Sequence, residues 1–112
     1  MNVQGKTVLI TGASRGIGRA IAIELAQQKA KRLLIVARDE QRLAEVATEI
    51  AALGVEVEIF ALDLTQLVEV NIAIAKAWRD CGPIDLLVNC AGVAHQAPFF
   101  NRYGHGARIK VV

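Results

Sequence analysis

An α/β fold built on a parallel, doubly wound sheet is predicted by three features of the chain. Short β-branched runs alternate with stretches of helical periodicity through most of its length. Gly54 and the Cys-Gly-Pro at 81–83 punctuate that alternation, so the segments read as separate elements. The composition, 54% hydrophobic but only 4% aromatic, builds a core from Ala, Val, Ile and Leu, the mix of a sheet covered on both faces.

KTVLIT (6–11) is the first strand. Residues 16–28 follow as a helix with Ile17, Ile21, Leu25, Ala22 and Ala26 on one face. RLLIVA (32–37) is almost unbroken apolar sequence, as a strand buried on both sides should be. Asp39 stands at the N-cap of a second helix carrying Leu43, Val46, Ala47, Ile50 and Leu53, and Gly54 ends it as a C′ residue. EVEIFAL (56–62) alternates as a third strand, and Thr65 is placed to cap a helix running to about Asp80. IDLLVN (84–89) is the fourth strand. Right-handed crossovers then give a three-layer, Rossmann-like sheet in the order 3-2-1-4.

The formal charge of +2 is too small to argue for nucleic acid or a membrane surface, and no run approaches the ~18 apolar residues of a membrane span. Residues 1–10 lack the pattern of a secretory signal, and Cys81 and Cys90 read as reduced, packed thiols, so a cytoplasmic location is expected. Cys81, Cys90, His95 and His105 fit no zinc spacing, and no metal is expected.

TGASRGIG (11–18) joins the first strand to the first helix. Its Gly12, Gly16 and Gly18 allow a tight turn, close approach of backbone to a ligand, and close packing of helix on strand. The helix that follows begins with unpaired N–H groups and a partial positive charge, which suits a pyrophosphate, and Ser14 can add a hydroxyl.

This T-G-x-x-x-G-x-G resembles the short-chain dehydrogenase/reductase family, as do LDL at 62–64, NCAG at 89–92 and GPIDLLVN at 82–89. The likeness spans residues 5 to about 95. It implies a dinucleotide site made by Gly12, Ser14, Arg15, Gly16, Ile17 and Gly18, with Asp63 on the adenine amino group and Leu64 beside it. It also implies that Asn89 braces the sheet and that Ala91 and Gly92 border the cofactor ribose. The residue after the second strand selects the cofactor: an acid accepts from a ribose 2′-hydroxyl, an arginine receives a 2′-phosphate. That residue is Arg38, with Arg15 as a second basic group, so NADP rather than NAD is expected.

The family's chemistry implies a serine and a tyrosine with a lysine four residues later, and here the likeness ends. Tyr103 is followed at that spacing by Ala107, while Lys110 lies seven residues on. Asn101 lacks the helical context of the family's asparagine, and Asn71 is on the wrong helix. No catalytic residue is assigned. Residues 1–92 form the nucleotide-binding unit, and 93–112 read as an irregular tail replacing the family's catalytic half.

Two departures stand out: Lys29 where the family usually has Gly after the first helix, and Cys90 for the second Asn of N-N-A-G. A loose tail is the favoured reading of 93–112. The alternative is a short extra edge strand from GARIKVV, which is similar to the start of the family's fifth strand. The shortened form leaves strand 4 as an apolar edge through which self-association is expected. A non-catalytic binding module and a fragment of a longer active oxidoreductase are the other readings.

Overall fold

The computed structural model describes residues 3–90 and the backbone of 110–111. The elements are β1 (Thr7–Thr11), α1 (Gly16–Gln27), β2 (Arg32–Ala37), α2 (Glu40–Ala52), β3 (Glu56–Ala61), α3 (Leu67–Cys81), β4 (Leu86–Asn89) and β5 (Lys110–Val111). All strand pairs are parallel, in the order β3-β2-β1-β4-β5. The expected 3-2-1-4 order holds, and Lys110–Val111 adds a fifth strand by pairing with Leu86 and Leu87. The loose-tail reading therefore gives way to the edge strand at those two residues: the free side of β4 offers backbone groups that a parallel segment can satisfy.

Strand alternation divides the core in two. Val8, Ile10, Leu33 and Ile35 point to the face covered by α1 and α2, where Leu43, Val46 and Ile50 meet them. Leu9, Leu34, Val36 and Leu87 point to the other face, against Val70, Ile74 and Ala77 of α3. Helices on both faces are what make β1 and β2 buried at every position but Arg32, and apolar through their middles. At the β3 edge, Glu56 and Glu58 are exposed, as charges on an open strand edge should be.

Four local expectations change. The buried stripe of α1 is Gly18, Ala22 and Ala26, while Ile17 is 75% exposed. Small residues let α1 approach the sheet so closely that the larger side chains fall to its flanks. Thr65 does not cap α3; its hydroxyl donates to Asp63 instead, and Gln66 takes the N-cap position without a side-chain bond. Such local bonds of short polar side chains compete with capping. β4 begins at Leu86 rather than at 84, because the Asp85 carboxylate accepts the Thr7 N–H at 3.0 Å. β3 stops at Ala61, one residue short of the expected end.

Two ends behave as expected. Asp39 caps α2, accepting from the Arg42 N–H at 3.1 Å, and Gly54 follows with φ +84. Lys29 has φ 66, the left-handed value that explains why glycine suits this place. Its ammonium donates to the Leu53 carbonyl at 3.0 Å, at the C-terminus of α2 where positive charge is favoured. That contact offsets part of the strain.

Candidate functional site

The C-terminal ends of β1, β2 and β3 open into one cleft, about 1700 Å³ with the solvent at its mouth included. Its floor is the turn after β1. Gly12 and Gly16 hold φ of 69 and 60, which bends the chain back under α1. Gly16 faces open space, whereas a Cβ on Gly18 would run into the Gly12 carbonyl oxygen and lie 2.7 Å from its carbon. The three glycines thus divide the work: two turn the chain and the third lets helix and turn touch.

Arg15 occupies the N-cap of α1 in an extended conformation, and its side chain makes no capping bond. The first N–H groups of α1 are left for another acceptor. By contrast α2 is capped by a carboxylate. A dinucleotide's pyrophosphate fits the first arrangement and would be repelled by the second.

The turn is fixed from beneath. The Gly12 N–H donates to Val36 O at 2.8 Å. The Thr11 hydroxyl, only 1% exposed, donates to Asn89 Oδ1 at 2.9 Å and accepts from the Cys90 N–H at 3.2 Å. Asn89 and Thr11 are also register partners in the β1–β4 ladder. Thr11 thereby ties the start of the glycine turn to the end of β4, a role the sequence reading had not given it. Its signal was a buried hydroxyl at a strand end, where an apolar residue would otherwise be expected.

The side walls carry the polar chemistry. Asp63 Oδ1 accepts from the Thr65 N–H at 2.9 Å and from its hydroxyl at 2.7 Å. These two bonds, with a smaller contribution from Arg38, hold the Asp63 carboxyl below its ordinary value. Oδ2 faces Arg38 Nε at 3.9 Å. Arg38 is 80% exposed, so this pair is weak and the guanidinium is free to reach a ligand. Asp39 is engaged on both oxygens, by the Arg42 N–H and by Arg42 Nε at 3.4 Å, and acts as a helix cap. Cys90 is half-buried at the cleft wall, and burial pushes its thiol up.

Of the residues expected in the site, Gly12, Ser14, Arg15, Gly16, Arg38, Asp63 and Leu64 border this cleft. Gly18 and Asn89 support it from behind. Ile17 projects from α1 and does not border it. Ala91, Gly92, Asn101, Tyr103, His95 and His105 lie outside the described residues, and Lys110 is described only in its backbone. Asn71 is on α3. Arg42 was missed as a cleft residue, although it stands three places after the capping Asp39, one turn into α2.

The short chain dehydrogenase family model matches residues 6–104. The chain belongs to the short-chain dehydrogenase family. Mouse 17-beta-hydroxysteroid dehydrogenase 13 is 36% identical over 96 residues, covering 86% of this chain and 31% of that protein. A metagenomic short-chain oxidoreductase solved in complex with NADP is 40% identical with a TM-score of 0.76, over 83% of this chain and 42% of its own. Carveol dehydrogenase from Mycobacterium avium, solved in complex with NAD, is 27% identical with a TM-score of 0.75, over 82% and 37% respectively. The chain spans about a third of the length of the curated relatives it matches. Within this short-chain dehydrogenase fold, no helix among the described residues is long and apolar enough to cross a membrane.

Proposed function

We propose that the chain is the NADP(H)-binding portion of a short-chain oxidoreductase and does not catalyse alone. The observation that carries the reading is the pairing of an uncapped α1 with two arginines, Arg15 and Arg38, on one cleft. Asp39, the first acid after β2, has both oxygens occupied and is a poor acceptor for a ribose 2′-hydroxyl. A 2′-phosphate gains a charge-assisted, often bidentate bond from Arg38, worth roughly 1.5–3 kcal/mol before solvent screening. The 40%-identical NADP complex supports this choice, while the NAD-bound carveol dehydrogenase shows that the fold alone does not impose it.

In this reading Gly12, Ser14, Gly16 and the start of α1 hold the pyrophosphate, and Asp63 Oδ2 receives the adenine amino group. Ala91 and Gly92 are assigned to the ribose by resemblance alone. The bound nicotinamide supplies hydride chemistry to a carbonyl or alcohol carbon. This chain's residues bind and orient the cofactor. The family's Tyr-x-x-x-Lys does not occur in these 112 residues, since Ala107 stands where the lysine is needed. A longer oxidoreductase that contains this unit is favoured over a free-standing binding module by the one-third share of its relatives.

Titration with NADPH and NADH tests the assignment. NADPH should bind more tightly, Arg38→Asp should reverse or abolish the preference, and a carbonyl panel should show no turnover. Equal NADPH affinity in the Arg38→Asp variant and its parent would overturn the cofactor assignment, and turnover by the purified chain would overturn the non-catalytic one.

A further inference from the structure

We propose that Arg42 is a specificity-determining residue of the cleft, a third guanidinium that gathers a phosphate dianion carried on the adenosine ribose. The inference rests on the NADP reading above and adds a residue to it. Arg42 borders the main cleft and also a smaller hollow beside it, shared with Ser14, Arg15 and Gly16 and with two carboxylates, Asp39 and Glu45. It is the point where the start of α2 meets the glycine turn.

Asp39 fixes Arg42 twice, through the backbone N–H at 3.1 Å and through Nε at 3.4 Å. Among the described residues nothing else pairs with this guanidinium, so its two terminal nitrogens keep their donors. Arg19 lines the same hollow but is neutralised by Glu49. Arg15 forms no ion pair among the described residues. Arg15 and Arg42 therefore border one space. Asp39 offsets part of the Arg42 charge, but that pair is half-exposed and weak, so a dianion can still draw on the terminal Arg42 donors.

The pyrophosphate is assigned to the turn between Gly12 and Gly18, and Arg42, on α2, borders both that turn and the part of the cleft lined by Arg38 after β2. A phosphate on the Arg38 side hangs from the adenosine ribose. Tethering by Asp39 pre-orders the fork, so less side-chain freedom is lost on binding than for a free arginine.

The test uses the full chain, titrated calorimetrically with adenosine 2′,5′-bisphosphate and with adenosine 5′-diphosphate. Arg42→Gln should weaken the 2′-phosphorylated compound about tenfold and the other less than about twofold. Arg42→Lys, which keeps the charge but not the fork, should fall between. An Arg42→Gln variant that keeps the parental affinity for the bisphosphate overturns the proposal, as does equal loss of both compounds. A parent with no preference for the 2′-phosphate would instead bring down the NADP reading, before any substitution is made.

Discussion

Gly18→Ala is the sharpest perturbation of the cleft, because its effect is steric and its neighbours are backbone. The added Cβ would collide first with the Gly12 carbonyl oxygen, and would lie 2.7 Å from that carbonyl's carbon and 3.2 Å from Ala13 Cα. Carbon pairs rest at about 3.5–4.0 Å and the carbonyl oxygen is closer still, so α1 and the turn must separate by more than about 1 Å. Overpacking costs typically ~1–3 kcal/mol, and a clash with backbone falls at the upper end, about 3 kcal/mol, because backbone cannot rotate out of the way as a side chain can. Alanine returns about 0.5–1 kcal/mol through helix preference, leaving a net loss near 2 kcal/mol. For a domain of this size that is a fall of roughly 10 °C in Tm. The same shift moves Gly12 and the first N–H groups of α1 apart, so NADPH affinity should fall with stability. Thermal melts followed by circular dichroism, with a fluorescence titration, read both effects. A variant that melts within about 2 °C of the parent and binds NADPH equally would refute the close-contact argument.

Two further outcomes follow from residues at the rim of the fold. Lys29→Ala keeps the left-handed backbone and loses the ammonium contact to Leu53 O, so it should destabilise by about 0.3–1 kcal/mol; Lys29→Gly should melt above Lys29→Ala, because it relieves the strain. A glycine variant less stable than the alanine one, in the same melts, would contradict the φ of 66. Iodoacetamide should alkylate Cys90 slowly at pH 7 and faster above pH 9, since burial keeps its thiol protonated past the ordinary value of 9.0. Saturating NADPH should protect Cys90, as read by mass spectrometry, with Cys81 as the buried control.

Strand order, helix number and the capping role of Asp39 were legible because each rests on local signals that tertiary packing did not oppose. The order follows from alternation and crossover handedness, and the cap from an acid ahead of an apolar stripe. What escaped the sequence depended on proximity between distant segments. Ile17 has helical spacing with Ile21 but is turned out, because Gly18 brings α1 against Gly12 and sets the rotation of the helix. Thr65 looked like a cap, yet Asp63 lies within its reach and takes its hydroxyl. Arg42 reads as a surface charge of α2 until the turn at Ser14–Gly16 is seen across from it. Pairing of residues 110–111 with β4 is non-local in the same sense, so GARIKVV offered an edge strand only as the alternative to a loose tail.

The hydroxyl of Thr11 has a consequence for anyone who would move this phosphate loop elsewhere. It links two strands that are 78 positions apart in the chain, donating to one and receiving the next residue's N–H. Eight residues of TGASRGIG transplanted onto another strand–helix joint would carry the curvature but not this anchor. The loop is no portable cassette. Its geometry is a property of the neighbouring strand, and a graft would need the asparagine that answers the threonine.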